Sequence, residues 1–186
     1  MTLTFVNAPW NAAEVERINA DGVDVVVTAR ADRAAWLAWL EPLPPTARVD
    51  RVVTPATVEM VAAESVATLG VATAASAELA RDISAVAAAF LDLFGITAAK
   101  FRLEVSAGTV CPKFHSDSVH VRMITTYVGP GTEYMHRDAE SDVVQVASGN
   151  FCFLKGRTHA THTDSVLHRS PKMDDTGARL ILALDF

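Results

Sequence analysis

Val119-His-Val-Arg-Met-Ile-Thr-Thr-Tyr-Val128, closed by Gly129-Pro-Gly131, decides how this chain of 186 residues is read. Apolar and polar side chains alternate along it, as they do in a strand with two unlike faces. The Gly-Pro-Gly end supplies a turn. Similar stretches lie on both sides: Phe101 to Val105, Thr132 to Met135, Val143 to Val146, Phe151 to Leu154, Ser165 to His168, and the nearly all-apolar Arg179 to Phe186. Between two of them, Ser148-Gly-Asn150 has the composition of a hairpin turn. Short strands punctuated by Gly and Pro predict a sandwich or jelly roll.

Upstream of Gly95 the texture is helical. From Ala75 to Phe94 the residues Leu79, Ile83, Val86, Ala87, Phe90, Leu91 and Phe94 recur at spacings of three and four, one face of a helix that Gly95 terminates. Thr54 to Leu69 predicts a second helix with Pro55 in its first turn. Ala31 to Leu40, with Asp32 as N-cap and Pro42 beyond its end, predicts a short third. Val23 to Thr28 is β-branched and predicts a buried strand. The expected fold class is therefore α+β. A helical N-terminal layer packs on a C-terminal double-stranded β-helix, a cupin-like jelly roll. Residues 1–186 form one domain, with 1–100 mostly helical plus one or more strands and 101–186 as the jelly roll.

Half of the residues are hydrophobic and the formal charge is −6, with no long basic cluster. That balance argues against a nucleic-acid coat and against an anionic membrane surface. The two cysteines, Cys111 and Cys152, form no C-x-x-C pair, so a structural zinc knuckle is not expected and a reduced, cytoplasmic protein is the simpler reading. The N-terminus has no basic region followed by an apolar run, and the Ala-rich segment near Phe90 is too short and too charged to span a bilayer. Trp10, Trp36 and Trp39 read as packing residues.

Chemistry concentrates in the second half. In Cys111-Pro-Lys-Phe-His-Ser-Asp117, residues two apart in an extended segment point the same way, so His115 and Asp117 can converge on one ion. His168, at the end of a predicted strand, is the candidate third ligand. Two histidines and a carboxylate suit non-haem iron, and they suit zinc as well. Arg179 would share a strand face with Ile181 and Ala183. A guanidinium among apolar neighbours calls for a buried anion, either an acid such as Asp185 or Glu104 or a ligand carboxylate. Arg122 is a candidate for substrate binding, or for pairing with Glu104 or Glu133. Cys111 reads as a packed thiol near the site, Lys113 and Lys155 as solvated, and His136, His159 and His162 as residues of polar loops.

The order His115-x-Asp117, His168, Arg179 resembles the Fe(II)- and 2-oxoglutarate-dependent dioxygenases. Arg122-Met-Ile-Thr-Thr-Tyr127-Val-Gly, Gly149-Asn-Phe-Cys-Phe-Leu-Lys-Gly156 and Gly177-Ala-Arg179 look like segments of their prolyl-hydroxylase-like branch, over residues 101 to 186. The resemblance implies His115, Asp117 and His168 as iron ligands and Arg179 as the anchor of the 2-oxoglutarate carboxylate. It implies oxidation of a small molecule or peptide. Where many relatives have Ser or Thr two positions after the arginine, this chain has Ile181. Where many have tyrosine three positions before the first histidine, it has Pro112. Tyr127 or Thr125 would then supply the missing hydrogen bond to the co-substrate. Over nearly the full length, Cys-Pro-Lys-Phe-His-Ser-Asp, Tyr-Val-Gly-Pro-Gly-Thr-Glu-Tyr, Leu-Lys-Gly, His-Arg-Ser-Pro and Leu-Asp-Phe resemble a bacterial family of unknown function. The alternative to an oxygenase is a cupin-like protein that binds zinc or iron for metal handling or sensing.

Overall fold

A computed structural model describes residues 9–30, 40–71, 73–139, 141–174 and 177–186. Helix α1 (Ala12–Val15) and a 3-10 turn precede β1 (Val25–Thr28) and β2 (Ala47–Val53). Helices α2 (Val58–Leu69) and α3 (Thr73–Leu93) follow, and then seven strands: β3 (Ala99–Ala107), β4 (Val121–Val128), β5 (Glu133–His136), β6 (Val144–Gln145), β7 (Phe151–Lys155), β8 (Val166–Arg169) and β9 (Ala178–Asp185). The strands form two antiparallel sheets, a larger one in the order β1-β7-β4-β9-β3-β2 and a smaller one in the order β6-β5-β8. The class is α+β, with helices packed on a multi-stranded antiparallel sheet.

Strand alternation divides the larger sheet into two faces. Leu180, Leu182 and Leu184 of β9 join Phe101, Leu103, Met123, Phe151 and Phe153 in a core that also holds Val61, Leu79, Ile83, Val86 and Phe90 of the helices. Trp10 meets Phe151 and Phe153 edge-on, with ring centroids 4.9 and 5.2 Å apart, so it packs as expected. The opposite face carries Arg179, Ile181 and Ala183, and together with the smaller sheet it encloses a cavity. A second small core of Val146, Cys152, Leu154 and Val166 draws residues from both sheets.

The helix ends follow local chemistry. Gly95, at φ 59°, closes α3: Ile96 N–H donates to Leu91 C=O and Gly95 N–H to Asp92 C=O, the paired bonds of a Schellman end. Helix α2 starts later than the predicted Thr54, because Thr54 N–H donates to Thr57 Oγ1 and this local turn, which contains Pro55, precedes the first helical residue. The helix predicted over Ala31 to Leu40 lies outside the described residues apart from Leu40.

Three other expectations are corrected. Ser148-Gly-Asn150 is not a hairpin: β6 pairs with β5 in the smaller sheet and β7 with β4 and β1 in the larger, so the turn carries the chain between sheets. Strand β1 is an edge strand with Val27 exposed, rather than a strand buried on both faces. Together with β2 it draws the N-terminal part into the two edges of the larger sheet. Lys155 is not solvated. It is buried, and its Nζ donates to Ala20 C=O, Thr161 C=O and Thr161 Oγ1, which replace water as acceptors. Among the described residues no helix is long and apolar enough to cross a membrane.

Asp24, buried just before β1, ties that edge to the loop leading into β8. It accepts from the backbone and hydroxyls of Thr163 and Ser165. Burial works to raise its pKa, but these donors outweigh it and hold the carboxyl below its ordinary value. A depressed folded pKa contributes stability that is present above the unfolded value, near 3.9, and is lost as pH falls through the folded one. Asp24→Asn is expected to lose about 1–3 kcal/mol at pH 7. In urea unfolding, the gap from wild type should narrow on going from pH 7 to below pH 4, and a pH-independent gap contradicts this account.

Candidate metal centre and its cavity

His115 lies in the extended segment before β4, and His168 lies on β8. The two residues exchange backbone hydrogen bonds, His115 N–H to His168 C=O at 3.0 Å and the reverse at 2.9 Å, which extends the smaller sheet by one bridge. Their rings are thereby set side by side, with centroids 4.4 Å apart. Asp117, two residues after His115, turns its carboxylate to the same point: one ligand atom from each of His115, Asp117 and His168 lies within 4.8 Å of the others. Arg169 lies over the ring of Phe114, 4.2 Å from its centroid, and pairs with Glu133 at 2.7 Å, which braces the segment against β8.

The surrounding groups set the environment of these three side chains. His115 Nδ1 lies 2.9 Å from Lys113 C=O, an atom that can only accept, so Nδ1 is the donor of this contact and Nε2 is the nitrogen turned to Asp117, 3.7 Å from its Oδ1. Cys111 Sγ is 3.8 Å from the same Nδ1, a neighbour of the ring on the side away from the ligand atom. Arg122 Nη1 holds Asp117 Oδ1 at 2.6 Å. Asp117 Oδ2 is buried and lies 3.1 Å from His168 Nε2, off the line of a well-formed hydrogen bond. Burial would raise the Asp117 pKa, but His168, Arg122 and His115 together hold it down to about 2. Burial lowers that of His168, against the pull of Asp117. A charged carboxylate with an unsatisfied buried oxygen beside a neutral imidazole is a donor set that fits a divalent cation.

Arg179 lines the cavity as well. This space of about 140 Å³ is bordered by His115 and His168 and also by Arg179, Ile181, Glu104 and Ser106. Arg179 is 2% exposed. Its Nη2 donates to Thr126 Oγ1 at 3.3 Å, its Nε has no acceptor, and it makes no ion pair among the described residues. Burial pulls its pKa down to about 10, against the fields of Glu104 and Glu133, so it stays charged at neutral pH. Gly129, at φ 83°, passes directly over it. A Cβ there would meet Ala178 O at 2.4 Å and Arg179 Cγ at 2.9 Å, so only glycine leaves the guanidinium stem in place.

Several expected roles fall elsewhere. Tyr127 and Thr125 are on the helical side of the sheet. Tyr127 donates to Asp82 of α3 at 2.7 Å, and Thr125 pairs with Leu182 and Phe151, both core residues. Neither lines the cavity. The cause is strand parity with a bulge at Tyr127, the extra residue between the Thr126–Ile181 and Val128–Leu180 pairs. Arg122 is not directed at Glu104 or Glu133. It bridges Asp117 and Asp185, with Nε 3.0 Å from Asp185 Oδ2. Asp185 therefore is not the anion for Arg179. The roles of Thr126 beside Arg179 and of Arg122 behind Asp117 were missed, although the alternation of β4 puts Arg122, Ile124 and Thr126 on one face.

Together, fold and site describe an α+β protein whose two sheets enclose a candidate His/Asp/His metal centre and a buried unpaired arginine. The chain belongs to the family described as "Protein of unknown function (DUF1826)", whose model matches residues 11–185. The near resemblance visible in the sequence is thus to a family without an assigned activity. No curated protein matches. Among solved structures, the chain is similar to the dioxygenase for auxin oxidation in rice, at 15% identity and a TM-score of 0.55, over 94% of this chain and 77% of that one. It is also similar to a Pseudomonas putida prolyl-4-hydroxylase (14% identity, TM-score 0.49, 94% and 97% covered). A third is the dioxygenase for auxin oxidation 1 from Arabidopsis thaliana in complex with 2-oxoglutarate (14%, 0.48, 91% and 70%). The rice similarity shows a shared fold and reaches no further at that identity.

Proposed function

We propose that this chain is an Fe(II)- and 2-oxoglutarate-dependent oxygenase built on a double-stranded β-helix. His115, Asp117 and His168 would hold the iron. Arg179, steadied by Thr126, would take the far carboxylate of 2-oxoglutarate, and Arg122 would fix the orientation of Asp117. When bound, iron and keto acid supply oxidation of a substrate C–H by dioxygen, with decarboxylation to succinate and carbon dioxide. The chain's own residues bind and orient. His115 and His168 present lone pairs set by the backbone bridge, Asp117 presents Oδ2 while Arg122 occupies Oδ1, and Ile181, Ala183 and Ile124 exclude water between metal and arginine.

The observation that carries the reading is Arg179. A buried guanidinium with an unsatisfied Nε, sharing a cavity with the candidate ligands, is suited to a ligand carboxylate at the far side from the metal. A protein that only stored metal would have no use for it. Anaerobic addition of Fe(II) and then 2-oxoglutarate to the protein is expected to give the weak visible charge-transfer band of the chelate. If metal binds and no band or calorimetric signal for 2-oxoglutarate appears, a non-oxidative metal-binding function replaces this one.

The ligand set makes its own prediction. His115→Ala and His168→Ala should each lose bound Fe(II) or Zn(II), measured by metal analysis on folded protein. Metal content equal to wild type in both variants excludes these ligands.

A further inference from the structure

Glu104 projects from β3 into the same cavity and is 8% exposed. It stands directly opposite Ile181, so Arg179, two residues earlier on β9, is its diagonal neighbour on the same sheet face. On its other side the opposite residue is Arg48 of β2. Neither arginine binds it. Arg48 turns Nε and Nη2 to Asp50, at 2.6 and 2.9 Å, and Arg102 also gives Nε to Asp50, at 3.1 Å. Arg179 turns to Thr126. Glu104 acts on Arg48 and Arg179 only through its field. Among the described residues its carboxylate thus has no hydrogen-bond or ion-pair partner and is left to the cavity it lines.

The other charges of the cavity have partners. Arg122 has Asp117 and Asp185, Arg169 has Glu133, and Arg48 and Arg102 share Asp50. Under the reading above, Arg179 has the co-substrate carboxylate. Among the described residues, the acid lining the cavity that then makes no ion pair is Glu104. We propose that Glu104 is the subsite for a cationic group of the substrate, an ammonium or guanidinium carried into the cavity beside the metal centre. The inference rests on the oxygenase reading and narrows it to a substrate class. An anionic substrate group would find no donor in Glu104. A neutral hydroxyl could donate but would leave the charge uncompensated. Once 2-oxoglutarate occupies Arg179, the main competitor for Glu104 is neutralised, so the cation should bind more tightly with the co-substrate in place.

Small probes that differ only in charge test this. Butylammonium and butylguanidinium are titrated against n-butanol and butyrate, following the methyl NMR signals of Ile124 and Ile181, both of which line the cavity. Zinc-loaded protein with 2-oxoglutarate, metal-free protein, and the variants Glu104→Gln and Glu104→Asp are compared. In wild type the two cations should bind at least about tenfold more tightly than the alcohol and butyrate, a difference of about 1.4 kcal/mol. Glu104→Gln should lose the preference, and Glu104→Asp should keep part of it and so control for folding. The same order, weaker overall, is expected without metal, because Arg179 is then uncompensated. Equal affinity for cation and alcohol, a preference that survives in Glu104→Gln, or no cation response in the Ile methyls overturns the proposal. A cation preference in protein that fails to bind 2-oxoglutarate leaves the Glu104 subsite standing and removes the oxygenase reading. The reverse result removes only the subsite.

Discussion

Arg179→Ala is expected to keep its metal and lose 2-oxoglutarate. The guanidinium and the ligand atoms of His115 and His168 border one cavity but do not touch, so the substitution leaves the donor set and its backbone bridge intact. It removes the candidate anchor for the distal carboxylate. Truncating one partner of a buried charge pair costs about 2–5 kcal/mol, or roughly 30-fold to several-thousand-fold in affinity. Arg179→Lys should recover part of the loss, since an ammonium keeps the charge but not the planar fork. Folding is the necessary control. Because Arg179 makes no ion pair among the described residues, its removal leaves no acid newly stranded except through the weakened field on Glu104. Calorimetry with Zn(II) or Mn(II) in place of iron measures the effect without turnover. A folded Ala variant that binds 2-oxoglutarate as tightly as wild type would falsify the anchor role.

The clustering of His115, Asp117 and His168 and the buried charge of Arg179 were legible in the sequence because each follows a short-range rule. H-x-D in an extended segment places two donors together, and an arginine inside an apolar strand has to answer for its charge. The long helix and the strands of the second half were legible from periodicity. What escaped was relational. Arg122 and Thr125 cannot share a face of β4, and parity alone would have replaced Thr125 with Thr126. The bulge at Tyr127 could not be read locally, since it reflects how Tyr127 reaches Asp82 and how Arg30, bound to Asp82 and lying over Phe151, fixes that corner. The partition of β6 and β7 between two sheets was equally invisible. A turn sequence states that the chain bends, and the strand's partner is decided by which neighbours bury its apolar face. Glu104 left no local mark either, because its loss of partners depends on Asp50 of β2 capturing Arg48 from its own strand and Arg102 from Glu104's strand.

Arg122→Met is expected to destabilise the metal-free protein by about 3–5 kcal/mol, the usual cost of stranding the partners of a buried ion pair. Arg122 stands between two acids. Nη1 lies 2.6 Å from Asp117 Oδ1, and Nε lies 3.0 Å from Asp185 Oδ2. All three side chains are no more than 15% exposed, so solvent screens little of the interaction. Methionine fills much of the same volume, and the loss therefore reports charge and hydrogen bonding more than packing. Asp185 Oδ1 already lacks a partner, and removal of the guanidinium leaves the whole carboxylate uncompensated beside Asp117. Adding Asp185→Asn to Arg122→Met should therefore recover part of the loss, and the non-additivity in a double-mutant cycle measures the coupling. A cation reserved for substrate behaves differently. If Arg122 were free to meet substrate, Arg122→Met would change urea stability by no more than about 0.5 kcal/mol, as at an ordinary surface site. That small effect, combined with additive behaviour against Asp185→Asn, would move Arg122 from positioning Asp117 to binding substrate.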